Sequence, residues 1–132
     1  MADEEHSPRI VVVGPCAAGK TTLVKYLRPH GFNIRSCAQE HSYVPRLWRE
    51  FSRADILVFL DACLQTILRR LGRGQEAPIN LEAEQRRLGD ARSHCDLYLR
   101  TDGLTALQVA EIVEAFLVGR GLPGSVGSEH DS

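Results

Sequence analysis

The sequence predicts an α/β fold: a parallel β-sheet, of about four strands by the count of strand-like runs, sandwiched by helices. Three observations carry this. Within the strand at 9–13, Arg9 is followed by the unbroken run Ile-Val-Val-Val, and 56–60 (Ile-Leu-Val-Phe-Leu) is apolar throughout; neither run alternates with polar residues, the pattern of strands buried on both faces. Each run leads through a turn into a stretch with apolar residues at helical spacing. Glycine, proline or asparagine punctuates several of the changes of periodicity, at residues 14, 19, 29, 31, 45, 72, 80 and 103. Strands alternating with helices fit a parallel sheet joined by crossovers.

The elements follow in order. After the strand at 9–13, residues 14–19 form a glycine-bounded turn. Residues 20–28 read as a helix, with Leu23, Tyr26 and Leu27 on one side and Pro29 and Gly31 ending it. Residues 32–38 form a second strand. Pro45 can open a short helix holding Leu47, Trp48 and Phe51. The strand at 56–60 ends at Asp61, and residues 64–71 form a helix stopped by Gly72 and Gly74. Residues 73–79 are a polar loop, and Asn80 caps one helix over about residues 81–94. A strand at 96–100 and a turn at Thr101-Asp102-Gly103 lead to the last helix. Its start carries the S/T-x-x-E/Q pattern in Thr105 and Gln108. Val109, Ile112, Val113, Phe116 and Leu117 form its apolar stripe. Residues 1–8 and 119–132 read as flexible tails around a single domain at 9–118, which the motif below makes a nucleotide-binding one.

A length of 132 residues suits one domain, and 43% hydrophobic residues suffice for a core. The 16 basic and 17 acidic side chains leave a net charge of −1, so no global field draws in nucleic acid or an anionic membrane, and neither is an expected partner. The first residues, Met-Ala-Asp-Glu-Glu-His, are acidic where a signal peptide is basic and then apolar, and a cytoplasmic location is expected. Cys16, Cys37, Cys63 and Cys95 are dispersed without a C-x-x-C pair, which argues against a zinc site or redox dithiol. Arginine supplies 14 of the 16 basic residues. Base composition of the genome is a sufficient cause, and bidentate oxyanion recognition is the sharper one.

Residues 14–21, Gly14-Pro15-Cys16-Ala17-Ala18-Gly19-Lys20-Thr21, match G-x-x-x-x-G-K-[ST], the Walker A pattern, between a buried strand and a helix. The chemistry requires these types. Glycines let backbone N–H groups turn inward around a phosphate, and the helix N-terminus adds positive potential. Lys20 can reach the β- and γ-phosphates, and Thr21, followed by Thr22, can offer its hydroxyl to Mg²⁺. The expected ligand is a nucleoside triphosphate with Mg²⁺.

The reaction needs further groups. Ligands of such sheets sit beyond the carboxyl ends of the strands, so Glu40 and Asp61 should point at one rim. One of them would hold Mg²⁺ and the other would orient or deprotonate an acceptor hydroxyl. Equally open are an N-cap role for Asp61 and a solvated loop position for Glu40. Arg69, Arg70 and Arg73 close a helix and enter the polar loop. They can clamp phosphates or simply complement the helix dipole, and Arg73 is the strongest candidate. Arg86, Arg87 and Arg92 share a helix with Glu82, Glu84 and Asp90, which reads as an ordinary exposed face. His41, Ser42, Tyr43 and Arg46 can touch an acceptor. Trp48 reads as core, and Cys16 is a thiol inside the loop.

Three segments resemble the P-loop kinases of the nucleoside, nucleotide and shikimate kinase-like group. They are the phosphate loop at 10–23 with its doubled threonine, residues 55–62 with 66–74, and residues 96–105 with the following helix. The resemblance implies a P-loop nucleoside triphosphate hydrolase fold, with ATP and Mg²⁺ at Lys20 and Thr21. It also implies a lid containing Arg69, Arg70 or Arg73, and a nucleotide base beside the turn at residues 101–103. Glu40 would stand for the carboxylate that serves as base in nucleoside kinases. Residues 39–55 are shorter than the acceptor-binding part of such enzymes. No N-K-x-D signature points to guanine. The expected function is transfer of the γ-phosphoryl group of ATP·Mg²⁺ to a small-molecule acceptor. The alternative is a regulatory nucleotide-binding module or slow NTPase without an acceptor.

Overall fold

The computed structural model describes residues 7–72 and 80–122. The two apolar runs are the central strands of a four-stranded, all-parallel sheet. β1 (Ile10–Val13) pairs with β3 (Ile56–Asp61), Ile10 opposite Ile56 and Val13 opposite Phe59. β2 (Ile34–Ser36) lies outside β1, and β4 (Leu97–Arg100) lies outside β3, giving the order β2-β1-β3-β4.

Helices cover both faces. One face packs Ile10, Val12, Val58 and Leu60 against α1 (Lys20–Leu27), Ile67 of α3 (Leu64–Leu71), and α6 (Ala106–Gly119). The other packs Val11, Val13, Leu57 and Phe59 against Trp48 of α2 (Leu47–Glu50), Leu88, and Ala91 of α5 (Gly89–His94), beside α4 (Leu81–Arg87). Burying each such aliphatic side chain contributes about 1.5–3 kcal/mol, which is why these strands carry no polar alternation. Among the described residues no helix is long and apolar enough to cross a membrane.

Boundaries differ from expectation in three places. Regular pairing in the second strand is confined to Ile34–Ser36. Cys37 nevertheless still donates its N–H to the Val12 carbonyl at 2.9 Å. Pro45 lies in a turn, and helix α2 starts at Leu47. The helix expected over 81–94 breaks at Leu88, which is fully buried and followed by the poor helix former Gly89. Anchoring Leu88 in the core lets the chain turn there. The start of α6 follows expectation: Gln108 N–H donates to Thr105 Oγ1 at 3.1 Å, and Thr105 N–H donates to Gln108 Oε1 at 2.8 Å.

From the centre of the sheet the chain runs outward on opposite sides, β1 toward β2 and β3 toward β4. The carboxyl ends of β1 and β3 therefore flank the crevice in which open α/β sheets bind ligands. Gly14 follows one of these strands and Asp61 ends the other.

Candidate functional site

Residues 14–19 connect β1 to α1 through a tightly folded loop. Gly14 has φ +152°, and a Cβ there would lie 1.9 Å from the Leu60 carbonyl oxygen, so the loop can seat against β3 only with glycine. Ala17 (φ 62°) and Gly19 (φ 109°) are left-handed and turn the chain twice more. For Ala17 this conformation costs roughly 1–2 kcal/mol. Gly19 caps α1 without a side-chain hydrogen bond. The N–H groups of Lys20, Thr21 and Thr22 belong to the first turn and have no intrahelical acceptor, and the helix dipole places positive potential there.

The Lys20 ammonium spends its three donors on the Gly14 carbonyl (2.7 Å), the Pro15 carbonyl (3.1 Å) and Glu40 Oε2 (2.9 Å). The Lys20 and Glu40 side chains are only 11% and 6% exposed, so the pair is buried. Glu40 belongs to a 3-10 turn, Gln39–His41, after β2. Gln39, fully buried, fixes that turn by donating to the Val44 carbonyl (2.7 Å) and accepting from the Trp48 N–H (3.0 Å). Glu40 is thus no solvated loop carboxylate. Its Oε1 is buried without a partner, a costly state for a carboxylate oxygen.

Asp61 is not the N-cap of α3; Cys63 holds that position without a side-chain bond. The Asp61 carboxylate accepts from Ala62 N–H (2.9 Å), Gln85 Nε2 (3.2 Å) and the Tyr98 hydroxyl. Burial, followed by the bond to Asp61, pushes the Tyr98 phenol from 10.0 up to about 12. The folded state therefore holds this proton longer than the unfolded chain. The resulting stabilisation is complete below pH 10 and is lost as pH rises toward 12. In a spectrophotometric titration one tyrosine should ionise near pH 12, and Asp61→Asn should return it toward 10; unchanged titration would contradict this coupling.

Helix α4 joins these groups. Glu84, 5% exposed, accepts the Cys16 N–H of the loop at 3.0 Å. Its neighbour Gln85 reaches Asp61, and Arg87 donates to the Glu40 carbonyl at 3.2 Å. The expectation of an ordinary exposed face is therefore incorrect for this helix. Residues 81, 84, 88 and 91 recur at helical spacing, and Glu84 occupies a position of the buried stripe beside Leu88 and Ala91. That spacing is the sequence signal for Glu84; nothing comparable marks Gln85.

Burial, and then the Glu84 carboxylate, push the Cys16 thiol above its ordinary range, while Lys20 pulls the other way. Cys16 is accordingly a poor thiolate. Removing the negative charge with Glu84→Gln should shift the pH profile of Cys16 alkylation by iodoacetamide to lower pH, read by peptide mass spectrometry. An unmoved profile would mean that Glu84 exerts no field at the loop.

Of the arginine cluster, Arg70 docks on the site, Arg69 is exposed, and Arg73 lies outside the described residues. Arg70 donates to the Ala17 carbonyl (3.0 Å), to Thr101 Oγ1 (3.0 Å) and to the Thr101 carbonyl (2.7 Å). Thr101, 1% exposed, donates to the Ala18 carbonyl at 3.0 Å and ties β4 to the loop. Asp102 accepts from the Cys63 N–H, and the Thr66 hydroxyl and that N–H hold its carboxyl well below the usual range. Between the loop, Arg70, Thr101, Leu104 and Val109 lies a cavity of about 330 Å³. The turn expected beside a nucleotide base thus borders a cavity that opens on residues 17–19. Thr21 and Thr22 are exposed on the first turn of α1, and Thr22 lines the same cavity.

Among the described residues no three His, Cys, Asp or Glu side chains gather as a metal cage. Comparison with protein-family models found no match, and comparison with curated proteins found none.

Proposed function

We propose that residues 14–21 are a P-loop that binds ATP·Mg²⁺, and that the protein transfers the γ-phosphoryl group to a small-molecule acceptor. The supporting observation is the Lys20–Glu40 pair: an ammonium at a helix start that has no side-chain cap, held by a buried carboxylate with one oxygen unpartnered. The triphosphate would lie along the N–H groups of residues 17–22, with Lys20 against the β- and γ-phosphates. The base would occupy the cavity bordered by Arg70, Thr101 and Leu104.

Asp61 and the Thr21 hydroxyl would each offer one oxygen, the kind of donor Mg²⁺ takes when phosphates and water supply the rest. Thr21 and Asp61 would hold the ion, which when bound neutralises charge on the β- and γ-phosphates. Gln85 and Tyr98 orient the Asp61 carboxylate. In the transfer, the acceptor hydroxyl oxygen bonds to the γ-phosphorus. The bond from phosphorus to the bridging oxygen breaks, and ADP leaves with that electron pair. Glu40 takes the hydroxyl proton on its unpartnered oxygen. Lys20 would balance the charge that develops on the leaving group.

ADP release that depends on an added hydroxyl compound would support this reading. Glu40→Gln should leave ATP binding intact and lower acceptor-dependent turnover by about 10²–10⁴-fold, the range for a lost general base. Full turnover in this variant would remove Glu40 from the chemistry.

A regulatory module is the second reading, favoured by the Glu84 contact to Cys16. A triphosphate reaching that N–H would displace Glu84 and shift α4. Slow hydrolysis indifferent to every acceptor would select it.

A further inference from the structure

A second cavity, of about 310 Å³, lies between the segment after Glu40 and helix α4, lined by Ser42, Tyr43, Ala83, Arg86, Arg87 and Asp90. It adjoins the site through two of its walls. Ala83 precedes Glu84, which holds the Cys16 N–H, and Arg87 donates to the carbonyl of Glu40 itself.

Its charge is unbalanced. Arg87 is half-buried, and its guanidinium donates to the Glu40 carbonyl and to the Tyr43 hydroxyl at 3.1 Å, both neutral acceptors. Among the described residues Arg87 forms no ion pair. Arg86, 68% exposed, meets only the exposed Glu82 at 3.7 Å. The one acid of the wall, Asp90, is already engaged by Arg46 at 3.1 Å and by the Trp48 indole at 3.0 Å. Two permanently charged guanidinium groups therefore face the cavity without a comparable anion. A guanidinium satisfied by neutral oxygens gains most from exchanging one of them for an oxyanion, whose bonds are about twice as strong. The Tyr43 ring, 85% exposed with Arg87 4.7 Å above its centre, adds a flat apolar wall. The volume sits at the lower end for ligand pockets, about 300–1,000 Å³, and suits a metabolite-sized molecule.

We infer that this cavity holds the phosphoryl acceptor by an oxyanion, so that the acceptor is a small carboxylate- or phosphate-bearing alcohol rather than a neutral one. Arg86 and Arg87 bind the anion, Tyr43 flanks the carbon skeleton, and the hydroxyl end lies toward Glu40. The inference rests on the phosphoryl-transfer reading for the word acceptor; the anion site itself does not.

Two-dimensional amide NMR of the full chain separates the two. Phenyl phosphate and benzoate serve as anionic probes and phenol as the neutral one. The anionic probes should move the amide signals of Ser42, Tyr43 and Ala83 saturably, and phenol should not; the tighter anion identifies the preferred oxyanion. Arg87→Ala and, because Arg87 also holds the Glu40 segment, the exposed Arg86→Ala should each weaken binding at least about fivefold. Equal shifts with phenol, shifts confined to residues 14–21, or unchanged affinity in both variants would overturn the inference. ATP·Mg²⁺ calorimetry reads the loop separately. A groove response without ATP binding sinks the transfer reading and leaves the anion site. ATP binding without a groove response sinks the anion site alone.

Discussion

Lys20→Ala is expected to weaken ATP·Mg²⁺ binding at least about a hundredfold, ~2.7 kcal/mol, and to destabilise the fold as well. The binding loss follows from removing charge-assisted bonds to phosphate, worth about 1.5–3 kcal/mol each. The stability loss follows from burial. Glu40, in a position 6% exposed, is left without its partner, and breaking such a pair costs about 3–5 kcal/mol. Two variants separate the effects. Glu40→Gln leaves Lys20 its bonds to the Gly14 and Pro15 carbonyls and should retain nucleotide. Lys20→Met with Glu40→Gln removes both charges, and should recover most of the stability while still failing to bind. Urea unfolding reads stability and calorimetry reads binding. A double variant that binds ATP·Mg²⁺ normally would remove Lys20 from phosphate recognition.

Gly14→Ala should be among the most damaging single substitutions in the chain, costing at least about 4 kcal/mol. The new Cβ would lie 1.9 Å from the Leu60 oxygen and 3.0 Å from its carbonyl carbon. These are backbone atoms of a central strand, so the clash cannot be relieved by a rotamer change. The φ of +152° adds strain for any residue with a side chain. Gly103→Ala is the control. It also has positive φ (+76°) but meets nothing within 4 Å, and should cost only about 1–2 kcal/mol. Urea midpoints measure both. Similar losses at the two positions would mean that conformation alone, and not the seat against Leu60, fixes Gly14.

The parts of the molecule legible beforehand are those set by short-range patterns. Residues 10–13 and 56–60 are unbroken apolar runs because both faces of the central sheet are covered. Thr105 and Gln108 stand three apart because each satisfies the other's backbone. The edge strand at 34–36 was harder to bound, since Arg35 and Ser36 face solvent and pairing reaches only one neighbour. At the site, Gly19 takes a left-handed helix start and Lys20 binds the Gly14 and Pro15 carbonyls, both local, whereas Gly14 shows in the spacing although its requirement comes from Leu60 on a strand distant in sequence. Glu40, Glu84 and Arg70 depend on partners 20 to 68 residues away, and no local rule distinguishes a buried carboxylate from a solvated one. Glu84 was masked by its neighbours: alternating charges over 82–92 resemble a solvated face, although every third or fourth position points inward.

Calorimetric titration of the full chain with ATP in the presence of Mg²⁺ tests phosphate recognition by residues 14–21 most directly. Saturable binding with one nucleotide per chain, lost in the stable Lys20→Met, Glu40→Gln double variant, is the predicted result. No binding to the folded wild-type protein, or binding that survives in the double variant, would contradict it.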